Sequence, residues 1–260
     1  MEQIEQALRK AREQRLAAGI AQPISPVLPN FGAAVNIAYT RTRVIPLQPA
    51  LLERNRVIAT SLTHPVTDVY RSLRAQVLRG LAKLNKTTLG ITSTGPSEGK
   101  TLTAVNLAIA TAMDANQTVL LVDAELRNPG VAQCLGIVPE LGLDDYLSGR
   151  ATIADCLINP GVDTLSILPV RGRAGNSAEL LASPQMAQLA RELKGRYPDR
   201  IIFYDLPPLL TAGDTLGFLP SLEATLLVVR DGAARPADLK RAVDLLGGHN
   251  LLGTVLNAVE

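Results

Sequence analysis

Apolar and polar positions follow two rhythms along this chain. Unbroken runs of Leu, Val and Ile recur at residues 89–92, 118–122 (TVLLV), 200–204 (RIIFY), 224–229 (ATLLVV) and 251–256 (LLGTVL), with a weaker run at 165–170. Each has strand length and no polar alternate, which marks strands buried on both faces of a parallel sheet. Between these runs the apolar spacing lengthens to three and four. Residues 68–85, capped by Thr67, place Val69, Leu73, Val77, Leu81 and Leu84 on one helix face, opposite the basic Arg71, Arg74, Arg79 and Lys83. A second helix starts near Lys100, and a third over 184–197 aligns Met186, Leu189 and Leu193. Pro236–Leu246 forms another, opened by proline in its first turn. The alternation predicts a doubly wound, mostly parallel α/β sheet with helices on both faces and ligands at the carboxyl ends of its strands.

Before residue 67 the rhythm changes. Ile4, Leu8, Ala11 and Leu16 share a helical face, so residues 1–20 predict a short helix ended by Gly19. Its charged faces suit solvent, a docking partner or an anionic membrane. Prolines at 23, 26, 29, 46, 49 and 65 then predict an extended linker with one short strand near 43–46. The expected division is an N-terminal helix and linker over 1–66, and a folded domain over 67–260.

Composition narrows the classes. Aromatic residues make up 3% with no Trp, and the net charge is +2, so neither base stacking nor a polyanion-binding surface is indicated and no nucleic-acid partner is expected. Cys134 and Cys156 form no CxxC pair and read as small buried residues of a reduced compartment. No apolar run reaches the roughly 18 residues that span a bilayer, and the charged N-terminus does not resemble a signal peptide. A soluble, cytoplasmic protein is expected.

The stretch TTLGITSTGPSEGKTLTAVNLAIATA, from residue 87, reads as strand, Gly/Pro/Ser loop and amphipathic helix, the order a phosphate-binding loop requires. Gly99 admits close backbone approach, and the amides that follow stand at a helix N-terminus, where an anion is favoured. Lys100 reaches β/γ-phosphates and Thr101 offers a hydroxyl to Mg²⁺. Thr94 stands where GxxxxGK[ST] has its first glycine. The expected nucleotide-binding set is therefore Gly95, Pro96, Ser97, Glu98, Gly99, Lys100, Thr101 and Leu102. Two strands also end in aspartate, VLLV into Asp123-Ala-Glu125-Leu-Arg127 and IIFY into Asp205-Leu-Pro207-Pro208. In a parallel sheet both enter the crevice beside the loop, where a Mg²⁺-nucleotide needs one or two carboxylates.

TSTGPSEGKT, VLLVDAELRNP and IIFYDLPPLL resemble, in this order, the Walker A, A′ and B motifs of the bacterial tyrosine kinases, P-loop kinases of exopolysaccharide and capsule biosynthesis. The resemblance covers roughly residues 68–260, and the MEQIEQALRKAREQR start is similar to members without a fused membrane segment. It implies ATP as phosphate donor and Mg²⁺ held by Thr101, Asp123 and Asp205. Lys100, Asp123, Glu125, Arg127 and Asp205 then form the catalytic set, Asp123 assisting the incoming tyrosine hydroxyl. The family's DxDxR keeps Asp123 and Arg127 here, with Glu125 for its second aspartate. DVYRSLR resembles the ExxRxxR self-association motif, with Asp68, Arg71 and Arg74 in its three positions. Asn257, after VL, resembles a strand-end asparagine that reads adenine; a turn role is equally open. The resemblance further implies activation by a transmembrane polysaccharide co-polymerase (chain-length determinant) and recruitment to the inner face of the membrane. Family tails usually cluster tyrosines, whereas Tyr39, Tyr70, Tyr146, Tyr197 and Tyr204 are scattered and the sequence stops at Glu260. The expected function is an ATP-dependent protein-tyrosine (auto)kinase; the alternative is an ATP-operated oligomerising scaffold of the export machinery. A partitioning ATPase would carry its signature lysine where Gly95 stands, an iron–sulfur carrier would need CxxC, and a dehydrogenase would need GxGxxG.

Overall fold

The computed structural model describes residues 42–60, 65–114, 117–196, 199–211 and 213–258. The expected helix over 1–20, most of the linker, Tyr39 and Tyr197 lie outside the described residues. In chain order the elements are β1 (Arg43–Val44), α1 (Pro49–Arg54), α2 (Pro65–Leu84), β2 (Thr88–Ser93), α3 (Lys100–Ala112), β3 (Val119–Asp123) and α4 (Val131–Leu135). They continue with α5 (Leu143–Leu147), α6 (Ile153–Cys156), β4 (Ile158–Asn159), β5 (Leu165–Leu168), α7 (Ser177–Leu181), α8 (Pro184–Arg196) and β6 (Ile201–Asp205). The last are α9 (Asp214–Phe218), a 3₁₀ turn (Leu219–Ser221), β7 (Ala224–Arg230), α10 (Pro236–Leu246) and β8 (Leu251–Asn257).

The strands form one eight-stranded sheet in the order β1-β4-β5-β3-β6-β2-β7-β8, parallel throughout except where β4 meets β5. The unbroken apolar runs have a direct cause, because alternate residues of one strand enter two different cores. Val119, Leu121, Ile201 and Phe203 face the layer made by α2 and α3; Leu120, Val122, Ile202 and Tyr204 face the layer made by α8 and α10. Each such side chain, wholly removed from water, contributes about 2 kcal/mol. Helix α3 is buried on almost every side, and its small Ala104, Ala108 and Ala110 let the sheet and α2 close around it.

Three expectations change. First, α2 starts at Pro65, so Thr67 lies inside the first turn; its hydroxyl donates to the Ile58 carbonyl at 3.2 Å rather than capping. Second, the expected apolar face of α2 packs only in part: Val77 and Leu81 are buried and Leu73 partly so, while Val69 is 61% and Leu84 41% exposed. Those two ends overhang the α3 and β8 surfaces that the helix sits on. Third, the short strand expected near 43–46 is present as β1, but residues 45–60 are not extended linker. Val44 ends β1 beside β4, and Pro46 and Pro49 then turn the chain into α1, with Pro49 at its N-terminus. Leu52, Val57 and Ala59 join the α3 core, and the fully buried Asn106 of α3 holds this segment in place. Its Oδ1 accepts from the Ile58 and Ala59 amides at 2.8 and 3.0 Å, and its Nδ2 donates to the Arg56 carbonyl at 3.2 Å.

Candidate active site

The loop between β2 and α3 lies at the carboxyl end of the sheet, as do the ends of β6, the strand beside β2, and of β3, the next one beyond it. Gly99 adopts φ +90° at the entrance of α3, a left-handed conformation that an L side chain resists. A Cβ there would also meet Asn257 Nδ2 at 2.0 Å. Pro96 and Ser97 are exposed at the loop tip, while Glu98 turns inward and is buried. Its Oε1 accepts from the Gly95 amide at 2.7 Å and from the Thr94 hydroxyl. This pairing accounts for the absent first glycine, since Thr94 closes the base of the loop through a side-chain bond to Glu98. Asn257, at the end of β8, donates to the Glu98 carbonyl at 3.0 Å and so braces the loop from the other side. Leu102 packs its side chain on the core beneath, leaving only its backbone near the loop.

Lys100 is buried with Glu125 and Asp205. Its Nζ forms a direct ion pair with Glu125 Oε2, lies 3.8 Å from Asp205 Oδ1 and 3.2 Å from the Thr101 hydroxyl. Burial opposes its charge, but Asp205, Glu125 and Asp123 together hold the ammonium above the ordinary lysine value. Asp123 and Asp205 end adjacent strands in register and are both fully buried. Asp123 Oδ1 accepts from the Glu125 amide at 3.2 Å, and its Oδ2 from Gly130 and Val131 at 3.1 and 3.0 Å. Those bonds oppose a rise, yet burial and the neighbouring Asp205 push its carboxyl up to about 8. Asp205 is also raised by burial, against the pull of Lys100 and of the nearby Thr101 hydroxyl, although neither of its buried oxygens meets the geometry of a formed hydrogen bond. Glu125 is raised by burial against Lys100, with Asp205 and Asp214 adding to the rise.

Such a set fits a small, hard cation. Asp205 presents two buried oxygens with no protein donor, close to a hydroxyl. Asp123 is differently placed, for its oxygens already organise the turn and the start of α4. Arg127 is not among the group at Lys100: its Nε donates to Ser177 Oγ at 3.2 Å and its Nη2 lies 3.7 Å from Asp214 Oδ2. Sequence reasoning singled out neither Ser177 nor Asp214. Asp214 follows Gly213 at the start of a short helix and is indistinguishable in sequence from an ordinary turn aspartate. Nor was the Thr94–Glu98 pair foreseen; its signal was the departure at Thr94 itself.

No family model matches the chain. It is 29% identical over 208 residues to the tyrosine-protein kinase YwqD of Bacillus subtilis, covering 79% of this chain and 86% of that protein. With the tyrosine-protein kinase CpsD of Streptococcus pneumoniae it shares 30% identity over 178 residues, 66% of this chain and 76% of that one. It also shares 30% identity over 214 residues with the succinoglycan biosynthesis transport protein ExoP of Rhizobium meliloti, of which it spans 26%. The kinase domain of the Escherichia coli tyrosine kinase ETK superposes with a TM-score of 0.72 at 26% identity, over 84% of this chain and 89% of that domain. A more distant likeness, TM-score 0.55 at 25% identity over 65% of this chain and 69% of that one, is to the septum site-determining protein MinD of Pyrococcus horikoshii, complexed with Mg-ADP. The sheet order, the phosphate loop and these relatives agree: the chain belongs to the bacterial protein-tyrosine kinase family of exopolysaccharide and capsule biosynthesis.

Proposed function

We propose that this chain is an ATP-dependent protein-tyrosine kinase regulating exopolysaccharide or capsule production, transferring the γ-phosphate of ATP to a tyrosine hydroxyl. The observation that carries the reading is the buried group at the loop mouth, one lysine among the strand-end carboxylates, in a chain whose relatives are named tyrosine kinases. Lys100 releases Glu125 and neutralises the β/γ-phosphates. Gly99 supplies backbone donors without a side chain in the way. Thr101 and Asp205 would hold Mg²⁺, with Asp123 beside them, and the ion when bound supplies further neutralisation of phosphate charge. Asp123, fully buried beside Asp205 at the end of the adjacent strand, would assist the incoming tyrosine hydroxyl. The new bond joins the tyrosine oxygen to γ-phosphorus, and the broken bond leaves ADP. Arg127, with a half-exposed guanidinium, adds positive charge at the rim of the site. Asn257 lies beside Gly99 of the loop and, with one N–H given to the Glu98 carbonyl, keeps its Oδ1 and second N–H for an adenine edge.

Two tyrosines are excluded as acceptors in the folded chain. Tyr204 is fully buried against Phe218, and Tyr70 is held by burial against α3, so neither meets an active site without unfolding its surroundings. Self-association through Asp68, Arg71 and Arg74 on α2 would present tyrosines in trans. Arg71 pairs with the exposed Asp68 at 2.8 Å, and Arg74 spends one donor on the Ala110 carbonyl at 3.0 Å, leaving its others for a neighbour. Among the described residues no helix is long and apolar enough to cross a membrane. Recruitment to the inner membrane face by a transmembrane co-polymerase completes the proposal.

Incubation with γ-labelled ATP and Mg²⁺, with and without a Glu-Tyr copolymer, followed by mass spectrometry, tests the function. Phosphotyrosine that disappears in Lys100→Met is expected; phosphate release without phosphotyrosine overturns the kinase assignment.

A further inference from the structure

We propose that Ser177 and Asp214 are positioning residues of the kinase reaction, acting as a two-step relay that sets the orientation of Arg127. The inference rests on the kinase reading above. Arg127 leaves β3 two residues beyond Glu125, the partner of Lys100, and reaches away from that group towards α7 and α9. Its Nε–H donates to Ser177 Oγ at 3.2 Å, and the Ser177 hydroxyl in turn donates to Asp214 Oδ2 at 2.7 Å. Donor and acceptor roles are fixed along this line, because a guanidinium only donates, a carboxylate only accepts and the hydroxyl does one of each. Ser177 is 1% and Asp214 2% exposed, whereas the Arg127 side chain is 53% exposed. One edge of the guanidinium is thus anchored in the protein and the other faces solvent at the carboxyl end of the sheet.

Asp214 is otherwise hard to account for. It is a buried carboxylate whose Oδ1 has no hydrogen-bond partner, and it forms an ion pair with Arg127, 3.7 Å from Oδ2. A core could replace such a group by an apolar one at little cost. Its charge is felt at Glu125, which places it beside the catalytic group rather than in remote packing. The Ala174 amide donates to the Leu126 carbonyl at 2.9 Å, so the segment that carries Ser177 is tied to the residue preceding Arg127. These contacts let α7 and α9 hold an arginine that β3 alone would leave swinging on a flexible stem.

The full chain is assayed for phosphotyrosine formation on a Glu-Tyr copolymer across ATP concentrations, as wild type, Ser177→Ala, Ser177→Thr, Arg127→Ala and the Arg127→Ala/Ser177→Ala double variant. Loss of one hydrogen bond from the relay predicts a fall in kcat of about tenfold for Ser177→Ala with KM for ATP held within about twofold, and a melting temperature lower by several degrees because the buried Asp214 loses its hydroxyl donor. Ser177→Thr, which keeps the hydroxyl, retains most activity. In the Arg127→Ala background Ser177→Ala has no further effect, since the group it positions is gone. A further fall of the same size in that background overturns the relay, as does an effect on KM or melting temperature with kcat unchanged. If Lys100→Met abolishes activity while Arg127→Ala leaves kcat intact, the relay fails and the kinase reading stands. A wild-type chain that forms no phosphotyrosine removes both.

Discussion

Glu125 stands where the family pattern has aspartate, and its extra methylene carries the carboxylate onto Lys100. ATP therefore has to take the lysine from a partner already in contact with it. Both side chains are nearly buried, at 9% and 8% exposure. At an effective dielectric constant of about 20, opposite charges about 3 Å apart attract by roughly 5 kcal/mol. Desolvation offsets much of that, and removing one member of a buried pair typically costs about 3–5 kcal/mol. In Glu125→Gln the lysine still has Asp205 at 3.8 Å, which lowers the expected loss to about 2–3 kcal/mol of stability in the nucleotide-free protein. The affinity for ATP should move the other way. A competitor for Lys100 and a source of repulsion towards phosphate are both gone, so ATP binding tightens by about tenfold, roughly 1.4 kcal/mol. Glu125→Asp, with a shorter reach, should fall between. Titration with a fluorescent ATP analogue, in Mg²⁺ and again in EDTA, separates two roles. Tighter binding in both buffers is expected. Weaker binding confined to Mg²⁺ would make Glu125 a partner of the cation, and unchanged affinity in both would mean that the Lys100–Glu125 contact is not held in solution.

The buried carboxylates make the nucleotide-free protein sensitive to pH. Asp123 sits at about 8 in the fold against 3.8 when free, so its stabilising contribution is complete at acid pH and is lost as the pH climbs through 8; Asp205 is raised in the same direction. The unfolding free energy from urea titration should rise from pH 8 to pH 5 by about 1.4 kcal/mol per pH unit for each proton held, and Asp123→Asn should flatten the slope; a stability that falls on acidification contradicts the assignment. Asn106→Ala strands the Ile58 and Ala59 amides and should cost about 2–4 kcal/mol, with faster proteolysis near residues 56–60; a loss below about 0.5 kcal/mol would mean the segment is not held by that side chain. Replacing Arg71 and Arg74 with Ala should shift any oligomer towards monomer in light scattering, and no shift returns the outer face of α2 to plain solvation.

The parts of the fold that were legible in sequence are those whose periodicity is long enough to read. The five apolar runs and the helices at 184 and 236 appear within a residue or two of their observed bounds, because buried parallel strands leave no polar alternate. Elements of four or five residues such as α4, α5, α6, α7 and α9 carry too little pattern to be seen. The prolines at 46 and 49 looked like linker because proline marks both an extended chain and a first helical turn; only burial of Leu52 and Val57 decides between them. In the site, Lys100, Asp123, Glu125 and Asp205 converge as strand-end logic requires. Arg127 is drawn aside by Ser177 and Asp214, which no local signal connects to it across 50 and 87 residues of chain.

Asn106 gives the helix behind the phosphate loop a second occupation. The chemistry starts where its motifs start, after residue 67, yet α3 is roofed by residues from before that point. A shortened protein cut at residue 67 would keep every kinase motif while stripping the cover from the helix that presents Lys100, leaving an uncapped polar side chain and the seats of Leu52, Val57 and Ala59 open to water. Such a piece should be judged by its solubility and melting before its inactivity is blamed on catalysis. The smallest self-sufficient unit is set by the roof, and it reaches upstream of the phosphate loop and the strand-end aspartates by which the enzyme would be recognised.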